Sequence, residues 1–284
     1  MSSVAQRLAD GPVGAAWRSG LVRRARRLGV REPANQALHG RHAGRRAFVF
    51  GNGPSILQQD LTVLRDEVTF GLNSFFLHEQ FQAIAPDYLC SLDPMAVDAV
   101  YRRRWAALHE EHGTRSATKL FSKPAQQVDR KLGLFTGHRC HYLYAASPLV
   151  PALYELERCP TDLTRPLAGH GLVLTDIALL SAYAMGIERI YLLGFDAQPI
   201  TSLEDYLNYN FYGKDPLISM EEYERDYERF FASARFQESR EDLMVQTAAC
   251  LRRTFSARGV EILNATHGGG HLEGFDHVTF EDVL

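Results

Sequence analysis

The feature that most constrains the fold is a rhythm between Arg46 and Asp196. Short apolar runs rich in β-branched and aromatic residues, at 47–50, 68–72, 88–91, 119–122 and 189–194, alternate there with helix-compatible stretches. A further candidate strand is 141–144, and the helical stretches include 55–65, 96–109 and 175–185. A strand that is apolar at nearly every position buries both of its faces. Parallel strands also need a long crossover, usually a helix, between them. The rhythm therefore predicts an α/β protein: a Rossmann-like, mostly parallel sheet with helices on both faces. A charged helical stretch over about 220–257 and one more strand at 260–263 extend the pattern. The polar, aromatic-rich segment beginning at 197 and reaching about 240 predicts a small helical or loop cap on a main domain of 47–284.

The run Phe48-Val49-Phe50-Gly51-Asn52-Gly53-Pro54-Ser55 reads as the first strand ending in a tight turn that opens a helix. Two glycines let a ligand approach the backbone without a Cβ in the way. Ser55 is expected to cap that helix, with Gln58 completing a capping box. Free N–H groups and the positive helix end would then suit a phosphate or carboxylate. The third glycine of G-x-G-x-x-G is replaced by Ile56, and no G-x-x-x-x-G-K-[ST] loop occurs, so a dinucleotide redox cofactor and a P-loop are both disfavoured.

Ligands of open α/β sheets collect at the carboxyl ends of the strands. Asn73, Ser91 and Asp93 are expected on that edge, where short polar side chains can reach a base or ribose or cap the next helix. Gly171, ahead of a helix start marked by Thr175 and Asp176, forms a second candidate anion cradle. Asp196 ends the strand at 189–194, and could orient an acceptor hydroxyl or close a loop.

Composition sets broad bounds. At 284 residues, 45% hydrophobic and 23% charged, the chain suits one large soluble domain, and a net charge of −3 gives no reason to expect nucleic acid as a partner. Charge is uneven: residues 1–46 hold ten arginines against Asp10 and Glu32, making a basic extension that could pack, stay solvated, or touch acidic lipid. No apolar run reaches a membrane span or a secretory leader, so a cytoplasmic, possibly membrane-peripheral location is expected. Cys90, Cys140, Cys159 and Cys250 are widely spaced and read as reduced thiols.

Five ordered blocks, "FVFGNGPS", "EVTFGLNSFFL", "PDYLCSLDP", "TDIALLSAYAMGIERIYLLGFD" and "GVEILNATHGGGHLEGFDHVTFEDVL", resemble the motility accessory factor and 6-hydroxymethylpterin diphosphokinase-like family. Their order is also similar to that of the bacterial CMP-sialic acid-dependent sialyltransferases. That likeness implies nucleotide contacts from Gly51, Asn52, Gly53, Pro54, Ser55 and Asn73. It implies phenols beyond the strand end, for which Tyr206, Tyr209 and Tyr212 are available, and donor contacts from Asn210, Asn264 and Thr266. Gln198 stands where relatives carry tyrosine, and no histidine lies between Asp196 and His267, so Glu238, His170 or His271 are left as candidate bases. The implied reaction is a metal-independent glycosyl transfer from a nucleotide-activated, CMP-linked donor to a glycan or other hydroxyl acceptor, with no obligatory cofactor. The alternatives are a diphosphokinase using ATP and Mg2+, held by Asp93, Asp176 or Asp196, and a non-catalytic nucleotide-binding protein.

Overall fold

A computed structural model describes residues 31–92, 98–143, 145–148, 162–165, 167–169, 173–228, 252–253, 255–270 and 274–284. In chain order the strands are β1 Arg46–Phe50, β2 Val68–Leu72, β3 Tyr88–Ser91, β4 Thr118–Ser122, β5 Cys140–Leu143, β6 Ala145–Pro148, β7 Leu167–Gly169, β8 Arg189–Leu193, β9 Glu261–Asn264 and β10 Asp276–His277. Eight of them form one sheet in the order β10-β9-β8-β1-β2-β3-β4-β5, and every neighbouring pair is parallel. β6 and β7 pair separately. This is the open, parallel α/β architecture that the apolar rhythm predicts; the short strands β6, β7 and β10 carry too few apolar residues to announce themselves.

Alternation along the central strands divides the core in two. Ala47 and Val49 of β1, Phe70 of β2 and Ile190 and Leu192 of β8 pack beneath the helical segment that includes Ile177, Leu180 and Met185. Phe48, Phe50, Tyr191 and Leu193 face the other way, toward Phe75, Phe76 and Trp105. On that second face the helix Ala99–Glu111, capped by Asp98 accepting from Val100 N and Tyr101 N, presents Arg102. Arg102 is 1% exposed and donates through Nε and Nη2 to Asp129, both at 2.8 Å, while Trp105, Phe121 and Phe135 surround its guanidinium. The Tyr142 hydroxyl donates to the same Asp129 carboxylate at 2.8 Å. A buried charge pair held bidentately by such neighbours is strongly destabilising to break.

Of the basic extension, residues 31–46 are described, Arg46 as the first residue of β1. The 3-10 turn Pro33–Leu38 packs beside β5, with the Asn35 amide donating to Tyr142 O and Leu163 O. The rest of that extension lies outside the described residues. Among the described residues no helix is long and apolar enough to cross a membrane. Cys90 and Cys140 are free thiols.

Two expected helices differ. The stretch after the glycine turn is not one helix but two 3-10 turns, Pro54–Gln58 and Leu61–Leu64. Asp60 caps the second by accepting from Thr62 N, a break that the apolar pattern hides. The helix expected from a Thr175 cap begins earlier: Val173 already has helical backbone angles and a π-helical segment, Leu174–Leu179, runs into Leu180–Ala184. Thr175 thus lies within the helix rather than at its cap.

Candidate functional site

Three strand ends, those of β1, β2 and β8, meet over the middle of the sheet. The chain runs from β1 outward through β5, then returns to place β8 on the other side of β1, so β1 and β8 flank the topological switch point where such sheets bind ligands. A cleft of about 230 Å3 opens there, bordered by Gly51, Asn52 and Gly53 after β1, Leu72 and Asn73 at the end of β2, Gly194 to Gln198 after β8, Val173 and Leu174, and Tyr209 with Asn210. At roughly 30 Å3 per water this is room for a nucleoside-sized group rather than a lone ion.

The glycine turn is built differently from a phosphate cradle. Gly51 N donates to Leu193 O and Gly53 N to Gly194 O, both at 2.8 Å, so the turn lies directly against β8. A Cβ on Gly51 would come 2.4 Å from Gly194 O, and one on Gly53 would come 1.7 Å from Asp196 Oδ2. These glycines therefore admit another strand end, not a ligand. Gly194 answers them with a left-handed φ of 70° and with Ile56 packed where its own side chain would stand. Ser55 N donates to Asp196 Oδ2 at 3.3 Å, and the Ser55 hydroxyl is buried without a partner. The expected Ser55 cap and capping box are absent; Gly53 precedes the turn with no side-chain cap, and Pro54 simply begins it. Gly51 N, Gly53 N and Ser55 N are thus all taken up by oxygens, one of them the Asp196 carboxylate, and none of the three is left for a phosphate. The anion reading of the turn is corrected on that ground.

Asn52 ties three elements together. Its Nδ2 donates to Leu72 O at 3.1 Å, its backbone oxygen accepts from Phe211 N at 2.7 Å, and its Oδ1 is buried without a partner. Asn73, whose N donates to Cys90 O at 2.7 Å, holds a φ of 47°. Asparagine tolerates that region; Ala197, at φ 48°, does so at a cost of about 1 kcal/mol. Both strained residues border the cleft, and strain of this kind gathers at binding sites.

The cap over the cleft has its own order. Ser202 and Asp205 form a capping box on the helix Leu203–Leu207, as Ser219 and Glu222 do on Met220–Asp226. Tyr206 and Tyr223 pack with ring centres 4.9 Å apart and planes tilted by 40°, and Tyr227 donates to Thr201 O. Phe211 docks the cap on the main body against Phe75 and His78, at 6.3 and 5.1 Å between ring centres.

The structure thus brings Gly51, Asn52, Gly53, Asn73, Asp196 and Asn210 to one cleft. Pro54 and Ser55 lie behind the turn, and Ser91 is buried at the end of β3 away from it. Tyr212 does not border the cleft; burial, with Asp215 nearby, pushes its phenol well above the ordinary range, and the cleft phenol is Tyr209 instead. Asn264 and Thr266 have structural partners rather than a place at the cleft. Asn264 donates to Gly269 O at 2.6 Å and accepts from Thr266 N, and Thr266 Oγ1 accepts from Phe195 N. Both are almost fully buried. Asp93, Gly171, His170, Glu238 and His271, and the side chains of Thr175 and Asp176, lie outside the described residues. Sequence reasoning missed Leu72, Val173, Leu174, Phe195, Ala197 and Gln198 as cleft walls; nothing in their residue types marks them.

Fold and cleft define a class: a doubly wound parallel α/β protein with a covered crevice at its switch point. Compared with known proteins, the chain matches no described family and no curated protein. A solved structure, the sialyltransferase CstII from Campylobacter jejuni in complex with a substrate analogue, cytidine-5′-monophosphate, is similar at 14% identity and a TM-score of 0.43, over 83% of this chain and 85% of that one. A likeness that faint assigns no chemistry to this chain.

Proposed function

We propose that this chain is a glycosyltransferase that takes a nucleotide-activated sugar, CMP-linked, and passes the sugar to an acceptor hydroxyl without an obligatory metal. The observation that carries the reading is the cleft at the β1–β8 switch point, walled by neutral hydrogen-bonding groups of Asn52, Asn73, Gln198, Tyr209 and Asn210 and roofed by a separately built cap. Amides arranged around an apolar floor of Leu72, Leu174 and Phe195 suit a base and ribose. Tyr209, which borders the cleft from the cap, is the candidate to donate to the departing phosphate. Sugar transfer then needs the developing positive charge at the anomeric carbon to be tolerated and the acceptor proton to be removed. Asp196 borders the cleft and is the candidate to orient the acceptor. Glu238 and His271 remain proposals for the base.

The diphosphokinase reading requires Mg2+ bridging phosphates between carboxylates. Of the carboxylates that reading would use, Asp196 is engaged by Ser55 N, and Asp93 and the side chain of Asp176 lie outside the described residues.

A thermal-shift panel of CMP, CDP, UDP, GDP and ATP, each with and without Mg2+, tests the reading. A ligand at a hundred times its Kd adds about 2.7 kcal/mol. We expect CMP to raise Tm without Mg2+, by roughly 5–10 °C at that concentration. Stabilisation by ATP with Mg2+ alone would overturn it.

A further inference from the structure

We propose that His78 is a proton-operated latch for the cap: its neutral ring seats Phe211 beside the cleft, and its protonated ring releases it. The first observation is how the ring is held. His78 is 3% exposed, stacked on Phe75 with ring centres 5.3 Å apart and met edge-on by Phe211 from the cap. Gln80 N donates to its Nδ1 at 3.2 Å, so the neutral ring carries its proton on Nε2, which is buried without a partner. A second proton has one place to go, Nδ1, where it would face the Gln80 N–H. The charged ring thus exchanges an accepted hydrogen bond for two buried donors without acceptors, a state relieved only by reaching water. Phe75 is fully buried in the core of the second sheet face, whereas Phe211 is part-exposed on a separately built cap, so the cap is the side that yields.

The second observation is what Phe211 carries with it. Its N donates to Asn52 O at 2.7 Å, and Tyr209 and Asn210, just before it, border the cleft. Lifting Phe211 therefore opens a cleft wall, whatever the cleft binds. The charges around the ring are few. The turn Phe75–Leu77 and the helix Phe81–Ile84, both packed on it, carry none. On the cap, Lys214 is bonded to Ile218 O, and Asp215 bears on Tyr212, whose phenol burial keeps protonated. Burial lowers the pKa of His78 against the pull of exposed Glu79, so the seated ring is held neutral. A ring that stays neutral while seated and titrates near 6.5 once released multiplies the opening constant by up to about tenfold between pH 7.5 and 5.5.

Amide hydrogen exchange of the full chain at those two pH values, corrected for the intrinsic exchange rate, reads this opening without any ligand. We expect protection across 201–228 to fall about three- to tenfold in acid while β1 and β8 stay far more protected at both values. In His78→Phe, which keeps a ring in place but takes no proton, protection of the cap should change by less than about twofold. Equal losses at the cap in the parent and in His78→Phe, or cap protection that does not move with pH, would overturn the latch. Should His78→Phe fail to fold, an NMR titration of the parent decides. The His78 and Phe211 rings should then shift with one midpoint, and a His78 ring that titrates while Phe211 stays unmoved overturns the proposal equally.

Discussion

Replacing Gly53 with alanine isolates the contact on which the cleft is built. Gly53 has φ −64° and ψ 148°, angles that alanine adopts freely, so any cost is steric and not conformational. The added methyl would stand 1.7 Å from Asp196 Oδ2, 2.6 Å from its Cγ and 2.7 Å from Gly194 O. The carboxylate can swing aside, but Gly194 O is backbone at the end of a buried strand, so the turn must lift away from β8. Overpacking of that kind costs about 1–3 kcal/mol, and the bonds from Gly53 N and Ser55 N add about 1 kcal/mol each when lost. The sum, about 3–5 kcal/mol, is a large part of a typical domain's stability. At roughly 2–4 °C per kcal/mol it should lower Tm by about 6–20 °C. The control is Gly133→Ala, where nothing lies within 4 Å and only a positive φ of 66° is strained; it should cost about 1–2 kcal/mol. Denaturant titration of Gly53→Ala, Asp196→Ala and the double variant completes a cycle. Removing Asp196 clears its two contacts but not Gly194 O, so the double variant should be less damaged than the sum by about 1 kcal/mol or more. A Gly53→Ala protein within about 0.5 kcal/mol of the parent, or strictly additive losses, would refute the interlock.

Four further outcomes follow from other parts of the molecule. Asp129→Ala should cost about 3–5 kcal/mol by leaving Arg102 charged and buried, measured by urea unfolding. Phe211→Ala should loosen the cap from Phe75 and His78, seen as faster proteolysis within 201–228 while the sheet stays protected. Burial lowers the Lys119 ammonium to about 8, so the unfolded chain holds more protons than the folded one just above that value and stability should rise with pH. The rise is confined to about pH 8 to 9, by about 1 kcal/mol, because burial raises the Cys90 and Cys140 thiols, which pull the other way once thiols of the unfolded chain ionise near 8.5–9. Lys119→Met should flatten that slope. In acid the sign is also set: burial lowers His42, His78, His109 and His141, disfavouring their charged forms in the fold, so the urea midpoint should drop as pH falls below about 6.5.

The sheet was legible because burial on both faces leaves a mark that local chemistry cannot disguise. β2 and β3 fall where their apolar runs do, and the others within a residue or so. Thr175 and Ser55 misled for a shared reason: each is a residue that caps helices well, but tertiary packing had already settled the backbone before its side chain could matter. The glycine turn was located correctly and interpreted wrongly. Gly51 and Gly53 look the same in sequence whether a phosphate or a neighbouring strand approaches them, and only the return of β8 to the side of β1 distinguishes the two. Asn264 and Thr266 carried the right chemistry for ligand contact, yet each found a backbone partner a few angstroms away. Asn52 and Asn73 were legible because both stand within two residues of the end of a strand that could be placed.

The pairing of Arg46 with Arg189 has a consequence for how the molecule comes into being. β1 is made early but its second neighbour arrives about 140 residues later, an interval of roughly 7–30 s at the ribosome. Through that time β1 has β2 on one side and an uncovered edge of Ala47, Phe48, Val49 and Phe50 on the other, the kind of edge other chains readily join. The cleft has no second wall until β8 docks, so a shortened chain ending before Arg189 would display a sticky strand and bind nothing.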